Sequence, residues 1–127
     1  MVKFQEPQIV ITVDTQFIPE NSMVEFNKYF FAYTITIRNN GIQSVQLISR
    51  HWVIQNAKDE TFEVRGQGVI GEQPIIKPGD SYSYTSGTEI DTPVGSMYGT
   101  YQMITEDARS FDAKIPKFEL NMPRTLH

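Results

Sequence analysis

Three glycines in the middle of the chain have the spacing best suited to binding a phosphate. Gly66, Gly68 and Gly71 follow the pattern Gly-x-Gly-x-x-Gly, the fingerprint of dinucleotide-binding loops. In that fingerprint a helix follows the third glycine, and its N-terminus holds the pyrophosphate. Here Pro74 and Pro78 exclude a helix. We therefore reject a dinucleotide-binding domain of the parallel α/β class.

Two interpretations of these glycines remain open. One is structural: glycine permits a bulged strand or a sharp loop between sheets, because it adopts backbone conformations closed to other residues. The other is a nest of successive backbone N–H groups that binds a phosphate-bearing small molecule or nucleotide, helped by Arg50, Arg65 or Lys58. Residues 66–104 contain four acids and one lysine, a net charge of −3 that weighs against the second interpretation.

Arg50, His51 and Trp52 form a second candidate cluster. Neighbouring residues of a strand face opposite ways, so Arg50 and Trp52 share one face and His51 lies on the other. This geometry disfavours a metal or catalytic site that uses both Arg50 and His51. Either Trp52 is a core residue with Arg50 as a paired charge beside it, or Arg50 or His51 lines a ligand surface next to the glycines.

Catalytic and metal chemistry has few candidate residues. The chain of 127 residues has no cysteine and only two histidines, His51 and His127. This count excludes disulfides, cysteine-ligated metals and thiol catalysis, and one central histidine does not make a transition-metal site. Ser86, Thr88 and Ser96 supply hydroxyls, but no Gly-x-Ser-x-Gly turn surrounds a serine. We expect no enzyme activity, no metal site and no cofactor.

The charge and hydropathy of the chain exclude other classes of partner. A formal charge of −4 argues against nucleic acid and anionic membranes, which need a basic surface. No segment approaches the roughly 20 apolar residues of a transmembrane helix, and residues 1–7 lack the apolar core of a signal peptide. We expect a cytoplasmic protein.

The elements that must position these residues are β-strands. Isoleucine and valine total 23 residues, whereas leucine and alanine total 7, a bias typical of sheets. Alternation of apolar and polar residues predicts strands over 9–17, 33–38, 45–55, 61–65, 81–86, 97–104, 111–115 and 117–120, with an extended piece at 73–76. Asn39-Asn40-Gly41 predicts a hairpin turn. Seven or eight strands at this spacing predict an all-β fold, an immunoglobulin/fibronectin type III-like antiparallel β-sandwich, as one domain over residues 1–127.

Several motifs in combination resemble the signature of the ApaG protein family. They are Arg50-His51-Trp52, Gly66-Gln67-Gly68-Val69-Ile70-Gly71-Glu72-Gln73-Pro74, Pro78-Gly79, Tyr84-Thr85-Ser86-Gly87, Met97-Tyr98-Gly99-Thr100-Tyr101 and Phe111-Asp112-Ala113-Lys114-Ile115-Pro116-Lys117-Phe118. The resemblance covers residues 33–120, and Ala108 stands where the family often has glycine. It implies a small bacterial protein with a fibronectin type III-like sandwich, associated with cobalt resistance and magnesium efflux. It also implies a likeness to eukaryotic protein-interaction domains, and no catalysed reaction.

From these observations we expect a non-enzymatic module that binds an unidentified protein partner. The alternative is a phosphate or nucleotide ligand at the glycine loop, for which the candidate binding residues are Gly66, Gly68, Gly71, Arg65, Arg50 and His51. Tyr82, Tyr84, Tyr98 and Tyr101, with Met97 and Met103, are either core residues or in part an interface. Exposed edge strands would also permit a homodimer.

Overall fold

The protein is described by a computed structural model that covers residues 7–123, and within them eight strands form two antiparallel sheets. The strands are β1 (Ile9–Phe17), β2 (Tyr29–Asn39), β3 (Val45–Asn56), β4 (Thr61–Gln67), β5 (Ile75–Ile76), β6 (Ser81–Ile90), β7 (Val94–Thr105) and β8 (Ser110–Asn121). Two short 3-10 turns, Pro19–Asn21 and Val24–Phe26, separate β1 from β2. The predicted all-β sandwich is confirmed. None of the helical turns in this part of the chain is long and apolar enough to cross a bilayer.

The strand order decides which edges are open. The smaller sheet runs β1-β2-β6, and the larger runs β4-β3-β7-β8, with the short β5 pairing with the start of β3. The larger sheet therefore has β4 at one edge and β8 at the other, and the smaller has β1 and β6.

The predicted hairpin turn at residues 39–41 is wrong, because β2 and β3 belong to different sheets. The segment instead carries the chain from one sheet to the other, and none of its residues has a positive φ. Asn39 is fully buried, and its Nδ2 donates to the carbonyl oxygens of Gln43 and Ile76. Its Oδ1 accepts from the N–H of Gly41 at 2.9 Å, so the asparagine side chain forms a local turn and holds the crossing together, without pairing β2 with β3.

A bulge in β3 changes which of its residues face the core. Pairing with β7 skips Ile48, so Leu47 lies opposite Met103 and Ser49 lies opposite Gln102. The sequence alternation predicts Leu47 and Trp52 on opposite faces, and this is wrong: both are buried in the core. One extra residue reverses the alternation, as a bulge must.

Aromatic packing around Trp52 marks the centre of the core. The ring of Trp52 lies 5.4 Å from Tyr33, 6.2 Å from Tyr101 and 5.8 Å from Phe118, measured between centroids. The rings meet tilted or edge to face, as their quadrupoles favour. Trp52 therefore connects both sheets and fixes the strand that carries Arg50 and His51.

The last strand is continuous where the sequence predicted a break. β8 runs through Pro116, and its pairing with β7 skips two residues there: Met97 lies opposite Phe118, and Gly99 lies opposite Ile115. Proline has no N–H to donate to a neighbouring strand, so sheets tolerate it in an edge strand or at a bulge. Pro116 lies in the edge strand β8 and at its bulge.

Candidate functional site

The glycine segment forms a tight hairpin turn directly after β4. The N–H of Val69 donates to the Glu72 oxygen at 2.8 Å, and the N–H of Glu72 donates back to the Val69 oxygen at 2.9 Å. The two residues between them, Ile70 and Gly71, have φ of 43° and 79°, the pattern of a type I′ turn. Such a conformation is strained for a β-branched residue. The turn therefore holds Ile70 at its tip, where the residue is 58% exposed.

Close approach and backbone conformation account for the three glycines. A Cβ on Gly68, where φ is 62°, would overlap the carbonyl oxygen of Glu72. A Cβ on Gly66 would lie 2.8 Å from both terminal nitrogens of Arg50. Gly71 has open space around it, so only its positive φ favours glycine.

Arg50 connects the core to the glycine segment. Its Nη1 donates to the carbonyl oxygens of Gln67 at 3.0 Å and Gly68 at 2.8 Å. The side chain is half-buried and lies on the same face of β3 as Trp52, as the alternation predicts within this part of the strand. No carboxylate of residues 7–123 forms an ion pair with Arg50. Carbonyl groups of the loop, and not its N–H groups, therefore face the arginine.

The N–H groups at the start of the loop are already bonded within the protein. Gly68 donates to the oxygen of Ile48, the bulged residue of β3, at 2.8 Å. The side-chain Nε2 of Gln73 donates to the same oxygen at 2.9 Å. With Val69 bonded to Glu72, two of the N–H groups that a phosphate nest would use point at carbonyl oxygens.

The remaining candidate binding residues lie elsewhere. His51 is on the outer face of the larger sheet, where its Nε2 lies 2.7 Å from Oε1 of Glu63. Arg65 is directly opposite His51, is largely exposed, and reaches the same oxygen at 3.9 Å. Lys58 lies beyond the other end of β4 and pairs with Asp91 at 3.2 Å. The structure brings the guanidinium of Arg50 to Gly66 and Gly68. It does not bring the side chains of Arg65, His51 or Lys58 to these glycines.

His51 and Glu63, on the outer face of the larger sheet, form a cross-strand hydrogen bond. Glu63 and His51 are directly bonded neighbours on a wet sheet face, an arrangement that contributes modestly to sheet stability. Within the described chain, Glu63 is the side-chain partner that the structure gives His51, and no serine or threonine hydroxyl is bonded to it. Among residues 7–123 no three acidic or histidine side chains are grouped to hold a metal ion. His127 lies outside the described residues.

The tyrosines and methionines of β6 and β7 that the sequence leaves open as core or interface are mostly core residues. Tyr84, Tyr101, Met97 and Met103 are buried, whereas Tyr82 and Tyr98 are partly exposed. The hydroxyls of Tyr84 and Tyr101 lie 2.5 Å apart, and burial raises the pKa of both. Burial likewise raises the pKa of Tyr33, against a hydrogen bond with Ser86 that lowers it. These hydroxyls stay protonated, so none supplies a negative charge to Arg50.

A groove between the two sheets is a feature that the sequence analysis missed. Phe62 and Val64 lie opposite Ile54 and Trp52 in the β3–β4 ladder and so face inward. They are nevertheless 52% and 41% exposed, because the smaller sheet ends at β6 and does not cover them. We call the space between these two strands the β4–β6 groove; its walls are Phe62 and Val64 of β4 and Ser86, Thr88 and Ile90 of β6, and its floor is Arg50, Trp52 and Ile54.

The groove contains two cavities in line along β6. The inner one, of about 200 Å³, is lined by Tyr33, Arg50, Trp52, Ile54, Val64, Ser86, Gly87, Thr88 and Met97. The outer one, of about 390 Å³, is lined by Phe26, Asn27, Lys28, Phe62, Glu89, Ile90 and Asp91. Phe26 is 63% exposed and shares the outer cavity with Phe62. The groove thus combines apolar side chains of β4 with polar side chains of β3 and β6, and it is open along the free edge of β4.

Comparison with known proteins identifies relatives over the whole chain. A family model described as the ApaG domain matches residues 19–105. A protein named ApaG from Nitrosospira multiformis is 54% identical over 127 residues, which is 100% of both chains. Another, from Thiobacillus denitrificans, is 52% identical over the same length and coverage. The crystal structure of the putative ApaA protein from Bordetella pertussis is similar with a TM-score of 0.91 and 41% identity, covering 97% of this chain and 100% of that one.

Proposed function

We propose, since this chain belongs to the ApaG domain family, that it is a non-enzymatic module that binds another protein. We propose further that the partner adds a strand to the free edge of β4. The observation that carries this proposal is the exposure of Phe62 and Val64, two inward-facing apolar side chains on an edge strand. An edge of this kind is a template for pairing with another chain.

The properties of β4 support strand addition. Among the described residues it pairs only with β3, so one side of its backbone has no partner strand. Thr61–Gln67 contains neither proline nor lysine, the residues that most often protect an edge. Every residue of the strand except Gly66 is exposed. An incoming strand would therefore find free backbone groups and apolar side chains together.

The distribution of reactive groups supports a binding role without catalysis. His51 is bonded to Glu63 on the outer face, whereas the hydroxyls of Ser86 and Thr88 are in the groove on the other side of the sheet. A nucleophile and a base must lie within hydrogen-bond reach to act together. We propose that the association with cobalt resistance and magnesium efflux is exerted through the partner, in the cytoplasm.

The alternative, a phosphate-bearing ligand at Gly66–Gly71, has less support. Gly68 and Val69 have their N–H groups engaged, and Arg50 is bonded to loop carbonyls. Calorimetry with pyrophosphate would revive this alternative if it gave saturable heat that Arg50→Lys removes.

The proposal is tested by photo-cross-linking in the bacterium that makes the protein. A benzophenone amino acid replaces Phe62, which it resembles in shape, and in a control replaces Val10, an apolar residue 46% exposed on β1. We expect position 62 to give discrete adducts with another protein and position 10 to give none of the same mass. Equal adducts at both positions, or none at either, would contradict the proposal, and an adduct with a second copy would replace the partner by a homodimer.

A further inference from the structure

We infer that the β4–β6 groove selects a partner strand that carries a carboxylate side chain, aspartate or glutamate. The carboxylate enters the inner cavity, beside Arg50 and Trp52. This inference rests on the proposed function, because it takes a strand along β4 as given. It adds what that strand must contain.

The first reason is that Arg50 has no counter-ion among the residues that the structure describes. The guanidinium is half-buried, its Nη1 is bonded to two neutral carbonyl groups, and no acid of residues 7–123 pairs with it. Its neighbours at the inner cavity are neutral, since burial keeps the Tyr33 hydroxyl protonated by raising its pKa. A partly desolvated cation of this kind favours a negative group within reach.

The second reason is a donor with no acceptor. Trp52 is 2% exposed, and its Nε1–H is buried without a hydrogen-bond partner among the described residues. Trp52 lines the same cavity as Arg50. Buried donors are almost always satisfied, so this N–H adds a polar group in need of an acceptor to a residue that lines the cavity, while the preference for a negative charge comes from Arg50.

The size and walls of the cavity favour a side chain over a free small molecule. About 200 Å³ accommodates one acidic side chain, but it is smaller than the roughly 300–1,000 Å³ typical of ligand pockets. Ser86 and Thr88 contribute hydroxyls, while Val64 and Ile54 supply apolar surface for the methylene stem. Val64 of the edge strand β4 lines the cavity, so a side chain of a strand added to β4 would lie next to it.

The alternation of strand side chains extends the prediction to a neighbouring position. Residues two apart on an added strand point the same way, so the residue two positions from the acid faces the outer cavity. Phe26, Phe62 and Ile90 make that cavity apolar, and Lys28, Glu89 and Asp91 border it. Asp91 is already bonded to Asn56 and Lys58. We therefore predict an acid and an apolar residue separated by one position.

The single tryptophan makes the test direct, because its indole N–H gives one nuclear magnetic resonance signal from a residue that lines the cavity. The probe is a blocked seven-residue peptide, Thr-Val-Thr-Glu-Thr-Val-Thr, and its matched control has Gln in place of Glu. We expect the indole signal to move and saturate with the Glu peptide, at least tenfold more tightly than with the Gln peptide. The advantage should disappear as the pH falls below about 4, where the peptide carboxylate is protonated.

Two variants of the protein sharpen the result. Arg50→Lys keeps the charge but loses the planar fork, and we expect it to reduce the Glu preference at least threefold, whereas Arg65→Lys on the outer face leaves it unchanged. Because Arg50→Lys can loosen the glycine loop, Thr88→Val provides a second variant that removes one hydroxyl from the cavity and no charge. It should weaken the Glu peptide more than the Gln peptide.

The outcomes separate the two proposals. Equal affinity for the two peptides would overturn the carboxylate inference and leave strand addition standing. Binding of acetate as tight as that of the Glu peptide would overturn a strand as the occupant. A dimer of the protein that the Glu peptide dissociates would overturn a separate protein as the partner and make the second copy the occupant. Failure of both peptides, with a protein adduct still formed at position 62, would overturn this inference alone. Failure of both together with no adduct would overturn the proposed function as well.

Discussion

The two edge strands of the larger sheet, β4 and β8, are built in opposite ways. β8 has Pro116 at a bulge and exposes Lys114 and Lys117, of which Lys117 places its Nζ 5.8 Å from the centre of the Tyr98 ring. β4 has no proline and no bulge; its charged residues, Glu63 and Arg65, lie on the outer face with His51, and its inward face exposes Phe62 and Val64. A bulge, a proline and lysines are the means by which proteins prevent strands from pairing at an edge. One edge is thus protected and the other is open.

This difference decides which edge of the larger sheet another strand can join. At β8 the strand would meet a missing N–H, an interrupted ladder and two positive charges. At β4 it would cover the remaining exposed surface of two apolar side chains, each contributing about 1 kcal/mol on burial. The contrast is the physical basis for placing the partner at β4.

The largest expected effect comes from the loop that ends β4. Gly68→Ala should lower the free energy of unfolding by about 3 kcal/mol, because the new methyl group would overlap the Glu72 oxygen and φ is positive. Gly71→Ala is the matched control, since it has a positive φ but open space, and should cost only about 1 kcal/mol. Urea denaturation measures both. Equal losses would mean that the close approach at Gly68 does not fix the end of β4.

The open character of β4 can be removed without damage to the fold. Val64→Lys adds to β4 the kind of charge that protects β8, and we expect it to weaken binding of the Glu peptide at least tenfold. Because Val64 is 41% exposed, stability should change by less than about 1 kcal/mol. Val10→Lys, on an exposed valine of β1, is the control and should leave binding intact. Parallel loss of binding in both variants would show that β4 is not special.

The turn that leads into β8 offers a smaller gain in stability. Ala108 has φ of 64°, a left-handed conformation that glycine adopts more easily. Ala108→Gly should raise the free energy of unfolding by about 0.5 kcal/mol, the strain relieved less the entropy that glycine adds to the unfolded chain. Thermal unfolding checks this. A lower melting temperature would contradict the conformational argument.

The smallest effect is a pH dependence shared by both edges. Hydrogen bonds from Asn56 and then Lys58 lower the pKa of Asp91 near β4, and those from Thr105 and then Arg109 lower the pKa of Asp107 near β8. A lowered native pKa gives stability that is present above the unfolded pKa, about 4, and is lost as the pH falls through the native value. Melting temperatures from pH 2 to 6 should converge for the wild type, Asp91→Asn and Asp107→Asn at the acid end. A gap that stays constant would contradict this origin.

Most of the strands could be predicted from the sequence because alternation is local. β7 shows this well: Met97, Tyr101 and Met103 face the core as the pattern indicates. Two features of the fold could not be predicted from the alternation. The bulge at Ile48 depends on the pairing of β3 with β7, and the crossing at Asn39 has the same turn chemistry as a hairpin.

The candidate site was predictable only in part, for a related reason. The glycines, Arg50 and Trp52 are conspicuous in the sequence, and the structure brings Arg50 to Gly66 and Gly68. The groove is not conspicuous, because the exposure of Phe62 and Val64 depends on where the opposite sheet ends. That is a property of two distant segments, and no local pattern in β4 records it.

The most direct test of the central claim is backbone hydrogen exchange with the Glu peptide at saturating concentration. Strand addition to β4 predicts that amides of Thr61–Gln67 which do not bond to β3 become protected, while those of β8 exchange at an unchanged rate. Protection along the free edge of β6 or of β8, with β4 unchanged, would contradict the account.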